Sequence, residues 1–331
     1  MRILVTGGAG YIGAHVVRAL DRDGHRVLAL DDLSTGIPER LARNIPLYVG
    51  SVHNTELLVR VMRTNSVQGV IHLAGKKAVE ESVARPLLYY RENLVGILSL
   101  LTAMAGAGVK RIVYSSSAAV YGTPSDGVVT EDSPTVPESP YGWTKLMGER
   151  MIRDTAASSE LSWASLRYFN VAGTGAPCLA DRGENNLIPR VFRAVVDGTR
   201  PQIFGGSHST PDGTCIRDYV HVDDLADAHV AVVERMEDTR LTVTYNVGTG
   251  TGTSVLQMMQ AIRRASGFDF RWDITAPRPG DPPRVVASAE RILTELGWHG
   301  RHDLDSIVQT AWQGWCTHPS SAGSSQQAHS A

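Results

Sequence analysis

The chain has 331 residues, of which 42% are hydrophobic and 20% charged, and its formal net charge is −2. That balance lacks the basic footprint of a nucleic-acid or membrane-surface protein, and no run of 18 apolar residues is available to span a bilayer. The length suits one large α/β unit plus a smaller lobe. Cys178, Cys215 and Cys316 are far apart and odd in number; they suit a reducing compartment and have no metal-ligand spacing. Met1-Arg2 leads directly into an apolar run without a signal-peptide layout. A cytoplasmic location is expected.

In chain order, apolar runs at 2–6, 26–31, 46–50, 69–74 and 111–116 read as buried parallel strands. Between them, helical periodicity predicts helices over 11–23, 54–65 and, as one long element, 86–108. This alternation predicts an α/β fold built on a doubly wound parallel sheet. A helix is expected from about Tyr141, after Ser139-Pro140, and then a strand over 162–168. Beyond about residue 170, glycine and proline punctuate the chain, with helices expected over 187–196, 222–236, 255–266 and 304–317. This reads as a smaller lobe interleaved with the end of the first. Residues 318–331 are mostly Ser, Ala, Gln and Gly and predict a disordered tail.

Gly7, Gly10 and Gly13 punctuate the turn from the first strand into the first helix, with Tyr11 and Ile12 opening that helix. Glycines there let the backbone approach a pyrophosphate, and the helix N-terminus adds N–H donors and a positive dipole end. The spacing is G-x-x-G-x-x-G, which alone specifies only a glycine-rich strand-to-helix turn. Asp31 ends the second strand, 18 residues past Gly13. An acid there accepts hydrogen bonds from both adenosine ribose hydroxyls and repels a 2′-phosphate, which favours NAD over NADP. The lesser alternative is that Asp31-Asp32 forms only a solvated turn.

The fifth strand ends in Ser115-Ser116-Ser117, at the sheet edge where open α/β folds bind ligands. Tyr141 and Lys145, at i and i+4 of a predicted helix, share one face. Together these form a proton-transfer set. A free tyrosine titrates near ~10, and making it a base at neutral pH takes roughly 4 kcal/mol of differential stabilisation. A nearby ammonium and a cationic nicotinamide supply stabilisation of that kind. Ser117 would hold the same substrate oxygen.

These stretches, with Ala74-Gly75-Lys76-Lys77, Arg167-Tyr168-Phe169-Asn170 and Asp212-Gly213-Thr214-Cys215-Ile216-Arg217-Asp218-Tyr219-Val220-His221, resemble the extended short-chain dehydrogenase/reductase family over roughly residues 1 to 316. The last stretch resembles its UDP-hexose 4-epimerase branch. The resemblance implies a Rossmann-type sheet over 1–170, with return segments at about 218–247. It implies a smaller mixed α/β lobe over 171–217 and 248–316 for the UDP-sugar, and a tail over 317–331. It implies NAD-dependent 4-epimerisation of a UDP-hexose through a transient 4-keto sugar, with Tyr141 as base, bound NAD as hydride store, and Ser117 and Lys145 beside them. Besides the glycine loop and the two aspartates, Ser51, Val52, Leu73, Ala74, Gly75, Lys77, Asn93, Tyr141, Lys145 and Tyr168 would hold the cofactor. Ser117, Tyr141, Asn170, Asn186, Leu187, Phe204, Arg217, Arg278 and Asp281 would hold the UDP-sugar. No metal is implied.

The chain departs from the family pattern in places. Gly50-Ser51-Val52 has serine where many relatives carry an adenine-contacting Asp, and the segment from Gly173 to Asn186 is short. Val285 falls at the position that gates room around the sugar's C2 substituent, which implies tolerance of N-acetylated UDP-hexoses. Ala118 and Ala119 stand where dehydratases and decarboxylases place acids, which disfavours those reactions. Epimerases of UDP-hexuronates, UDP-pentoses or dTDP-hexoses, and a plain NAD-linked dehydrogenase, remain alternatives. A non-catalytic NAD-binding regulator would have lost Ser117, Tyr141 or Lys145. A homodimer through helices near 94–104 and 146–152 is implied by resemblance, although the same residues equally suit packing on their own sheet.

Overall fold

Seven parallel strands form the main sheet of the computed structural model, which describes residues 1–183, 186–278 and 280–317. They are β1 (Arg2–Thr6), β2 (Arg26–Asp31), β3 (Leu47–Val49), β4 (Gly69–His72), β5 (Arg111–Ser117), β6 (Ser162–Tyr168) and β7 (Thr242–Val247). Their order across the sheet is β7-β6-β5-β4-β1-β2-β3. Both faces are covered. Ile3, Val5, Val27 and Ala29 pack in one core, and Leu4, Leu28 and Leu30 in the other, as the two-residue period of a strand requires. Helices Tyr11–Arg22 and Val222–Asp238 cover the first face; Thr55–Thr64, Gly96–Ala107 and Pro140–Ala157 cover the second. This is the doubly wound arrangement read from the sequence.

The long helix expected over 86–108 is broken. Helices Val79–Ala84 and Pro86–Tyr89 lead into a π-helical turn, Tyr90–Val95, before Gly96–Ala107 begins. A π turn inserts one residue into the helical register, and such turns concentrate at functional sites. Here the turn carries Asn93, whose amide grips the backbone of Lys76. β4 ends two residues earlier than expected, as the chain turns away over Gly7. β7 was not anticipated, although its run Thr-Val-Thr-Tyr-Asn-Val is rich in β-branched and aromatic residues.

Beyond β6 the chain builds a second, mixed sheet. Ile216–His221 pairs antiparallel with Gly252–Ser254 and parallel with Arg284–Ala287 and Asn170–Ala172. Helices Leu187–Val196, Val255–Ser266 and Leu304–Thr317 enclose a third core around Phe192, Met258, Met259 and Trp315. Thr317 closes the last helix instead of opening the expected tail, and 318–331 lie outside the described residues. No helix among the described residues is long and apolar enough to cross a membrane.

Several histidines are held neutral inside this frame. His229 donates from Nδ1 to Leu225 O (2.9 Å) and accepts the Tyr168 hydroxyl at Nε2 (2.5 Å). Burial lowers the pKa of His229 to about 4 and, with repulsion from His302, that of His221 to about 4. An unfolded histidine titrates near ~6.5. Between those values the unfolded chain binds more protons, so stability is full above the unfolded pKa and falls as pH drops toward 4. Urea midpoints measured from pH 7 to pH 4 should fall through this window, and His229→Gln should flatten the slope. A midpoint that does not change with pH would contradict the burial of neutral imidazoles.

Candidate active site

The glycine turn after β1 is shaped for close backbone approach. Gly7 has φ +73°, and a Cβ on it would lie 2.7 Å from Ala74 N, so the Leu73–Ala74 backbone crosses directly over it. A Cβ on Gly13 would lie 2.0 Å from the Gly7 carbonyl oxygen; only glycine lets the first helix begin this near the loop. Gly10 N donates to Gly7 O (3.1 Å). Asp31, almost fully buried, takes Ala9 N–H on Oδ2 (3.0 Å) and Leu33 N–H on Oδ1 (2.9 Å). Burial raises its pKa against those amide bonds. Asp32 faces solvent and caps its own turn through Ser34. The two aspartates therefore divide the alternatives left open by the sequence: Asp31 belongs to the loop, and Asp32 to a solvated turn.

Across the loop, Ser51 Oγ accepts His53 N–H (3.1 Å), and Val52 is buried in the second core. Asn93 Oδ1 accepts Lys76 N–H (2.8 Å), while Nδ2 donates to Lys76 O (3.1 Å) and Thr144 Oγ1 (2.9 Å). One amide thus fixes the Gly75–Lys77 strip to the helix that carries Tyr141.

That helix, Pro140–Ala157, starts where it does because Ser139 Oγ accepts Gly142 N–H (3.1 Å) and proline occupies the first turn. Tyr141 and Lys145 then lie on its buried face. Lys145 Nζ donates to Ser115 O (2.7 Å) and sits 5.8 Å from the centroid of the Tyr141 ring. Ser117 and Tyr141 both border the same cavity. Burial raises the Tyr141 pKa, and Ser117 partly opposes it. Burial lowers the Lys145 ammonium to about 8. The sequence argument expected a depressed phenol. In the structure desolvation is the larger effect, and Ser117, not Lys145, is the group that opposes it.

A cavity of about 240 Å³ opens beside this set. Ser117, Tyr141, Tyr168, Asn170, Asn186 and Leu187 border it, and Lys77, Tyr11 and Ile12 reach it from the cofactor side. Tyr168 meets the cavity with its ring, its hydroxyl being committed to His229. Asn186 donates to Asp181 Oδ2 (2.5 Å). Sequence reasoning missed the Tyr11 hydroxyl, which donates to Gly173 O (2.7 Å), and Tyr219, which borders the cavity. Tyr219 lay in a quoted motif, and its alternation with Arg217 on one strand face was the available signal.

The other substrate candidates form a second cluster outside the cavity lining. The Arg278 guanidinium lies 4.0 Å from the Phe204 ring centroid and 3.0 Å from Glu80 Oε1. Arg217 pairs with Asp281, which also accepts Cys215 Sγ (3.6 Å). No group of three or more His, Cys, Asp or Glu among the described residues is arranged to hold a metal.

Fold and site together define a nucleotide-binding α/β protein with a serine, a tyrosine and a lysine gathered at the carboxyl edge of its sheet. The chain belongs to the NAD dependent epimerase/dehydratase family, whose sequence profile it matches over residues 3–248. It is 46% identical over 316 residues to the UDP-glucose 4-epimerase of Azospirillum brasilense, covering 94% of this chain and 90% of that protein. Its structure resembles the crystal structure of UDP-glucose-4-epimerase from Stenotrophomonas maltophila with bound NAD and formylated UDP-arabinopyranose (TM-score 0.92, 36% identity, 96% and 98% of the two chains covered). It also resembles the Bifidobacterium longum UDP-glucose 4-epimerase in complex with NAD+ and UDP (TM-score 0.91, 38% identity, 96% and 99% covered).

The glycine cradle and the loop-facing Asp31 fit the NAD of that family. Gly13→Ala should push the helix start away from the loop and sharply weaken NAD binding. Calorimetric titration with NAD checks this, and affinity unchanged from wild type would show that the cradle is not the cofactor's seat.

Proposed function

We propose that this protein is a UDP-glucose 4-epimerase, interconverting UDP-glucose and UDP-galactose and serving galactose metabolism in the cytoplasm. The observation that carries this reading is the meeting of Ser117 and Tyr141 at the wall of a cavity bordered by Asn170, Asn186 and Leu187, with Lys145 buried behind them on Ser115 O. Residues 1–170, with 218–247, would hold the dinucleotide through Gly7, Gly10, Gly13, Asp31, Lys77 and Asn93. Residues 171–217 and 248–316 would hold the UDP-sugar. Phe204 would face the uracil, Arg217 and Arg278 would take the diphosphate, and Asp281 would meet the uridine ribose. A guanidinium fork suits phosphate oxygens.

Bound NAD would supply a reversible store for the sugar's C4 hydride and a positive charge near the phenol. Tyr141 would take the C4 hydroxyl proton and later return it, with Ser117 steadying the same oxygen. Lys145, with its ammonium held on Ser115 O, would keep that end of the pocket positive. Burial of the Tyr141 ring excludes water that would compete for the proton. Because the sugar leaves with no net redox change, epimerisation should proceed without NADH accumulating; a plain dehydrogenase would accumulate it.

Val285 is buried beside Phe169 and Tyr121 in a small apolar cluster, and the reading that it leaves room at the sugar's C2 rests on the family resemblance. The second copy of a homodimer would cover Val83, Leu87, Leu98, Trp143 and Met147, which stand exposed on neighbouring helices. Met147→Asp should then yield monomers in sedimentation, whereas a wild-type monomer would exclude the dimer.

Tyr141→Phe should lower turnover by roughly 100-fold or more while NAD stays bound. Near-normal activity would remove Tyr141 as the base. Purified protein should also turn over UDP-N-acetylglucosamine within about 100-fold of UDP-glucose, the range over which a hydrophobic pocket discriminates a small substituent. A greater disparity would mean that Val285 does not open the pocket.

A further inference from the structure

Three consecutive residues at the end of β5 meet three residues spaced one turn apart on the Pro140–Ala157 helix. Ser117 stands with Tyr141 at the cavity wall, Ser115 O accepts Lys145 Nζ (2.7 Å), and Ser116 Oγ donates to Glu149 Oε1 (2.5 Å). The function proposed above uses the first two pairs and leaves the third without a task. Glu149 is 1% exposed. Arg167 of β6 donates to it twice, from Nε (2.9 Å) and from Nη2 (2.8 Å), and also reaches the Tyr121 hydroxyl (2.9 Å).

A buried ion pair is a poor device for stability alone, since apolar replacements of similar volume are often as stable or more so. The position of Glu149 is more informative. It lies one turn beyond Lys145 on the same helical face. The groups facing this strip come from every neighbouring element. β5 presents the Tyr114 ring, 5.3 Å from Lys145 Nζ, and β4 presents neutral His72. β6 presents Arg167 and Tyr168, the latter bonded to His229 of the Val222–Asp238 helix. The Pro86–Tyr89 helix presents Tyr89, edge-on to Tyr141. Of these, Arg167 is the one cation besides Lys145, and it is already paired with Glu149.

We propose, resting on the 4-epimerase reading, that Glu149 is a positioning residue: it fixes the Ser115–Ser117 strand end against the helix and supplies the counter-charge that keeps Lys145 an ammonium beside Tyr141. Burial favours the neutral amine, and Glu149 opposes burial. Activity that needs the ammonium is lost as pH rises through the lysine's pKa. Removing the anion therefore moves that loss to lower pH.

The chain has four lysines, so Lys145 can be titrated directly by NMR of lysine-labelled protein, its resonance assigned with Lys145→Met. In Glu149→Gln, the Lys145 midpoint and the alkaline limb of the epimerisation profile should both fall by roughly one pH unit or more, and Glu149→Asp should restore them. If the single variant fails to fold with Arg167 left unpaired, Glu149→Gln/Arg167→Met removes both charges and should show a fall in the same direction but smaller, because an opposing cation goes with the anion. Midpoints equal to wild type in a folded variant would overturn the proposal. If wild type does not epimerise, the reaction assignment fails, and the NMR titration still decides the role of Glu149.

Discussion

An ammonium buried almost out of reach of water is the constraint around which this structure is arranged. Lys145 is 6% exposed, and a cation in such a place is costly unless it is hydrogen-bonded and faced by opposite charge. Its partner is Ser115 O, near the end of β5, just past Tyr114, the last residue that β5 pairs with β4. The helix must also lie close enough for a lysine to reach that carbonyl. Gly148 makes this possible, since a Cβ there would come within 2.2 Å of the Tyr114 hydroxyl oxygen. Helix start, glycine and strand end therefore serve one placement, and the phenol of Tyr141 comes with it.

The same placement lies on a seam. β6 belongs to the parallel sheet through Tyr168, and two residues on, Asn170–Ala172 pairs with Ile216–His221 of the second sheet. In that register Asn170 stands opposite Tyr219, and Arg217 precedes Tyr219 by one strand period on the same face. Tyr11 ties the start of the first helix to Gly173 across the seam. The groups proposed to hold the sugar and those proposed to hold the dinucleotide are therefore fixed to one another by the continuous chain at 168–170 and by the Tyr11 hydroxyl on Gly173 O. Precision of the kind proton transfer demands rests on such rigid elements.

How much of this could be read from the residues differed along the chain. β1 and β2 were legible to the residue because strands buried on both faces are near-continuous apolar runs. The Tyr141–Lys145 relation was legible because i and i+4 on a helix share a face whatever packs against it. The break at Tyr90–Val95 was not, because a π turn leaves no compositional mark; its cause is Asn93 reaching Lys76, a tertiary contact. The short strands Gln202–Phe204, Gly252–Ser254 and Asp273–Thr275 were not legible either. Three residues carry no periodicity, and their partners lie far off in sequence, as in the pairing of 202–204 with 273–275. Glu149 was hidden for another reason. On a helix surface a glutamate at that spacing is ordinary, and only the arrival of Arg167 and Ser116 from two different strands makes it distinctive.

The two arginines proposed for the diphosphate are already occupied, Arg217 by Asp281 and Arg278 by Glu80 and the Phe204 ring. A charged group that keeps its partner until an anion replaces it never stands bare in a low-dielectric pocket, so its desolvation is largely met before substrate arrives. The cost is that each phosphate contact displaces a carboxylate contact, and the net gain per arginine is the difference between the two. The pairs are not equivalent. Asp281 is partly buried with Arg217 and can stay near it by turning to another donor such as Cys215, whereas Glu80 is largely exposed and can swing into water. The Arg278 pair, being the more solvated, is the weaker of the two and the one a phosphate displaces more readily. Since Glu80 belongs to the Val79–Ala84 helix that follows the Gly75–Lys77 strip, the Arg278–Glu80 pair joins the proposed diphosphate site to the segment beside the proposed cofactor site.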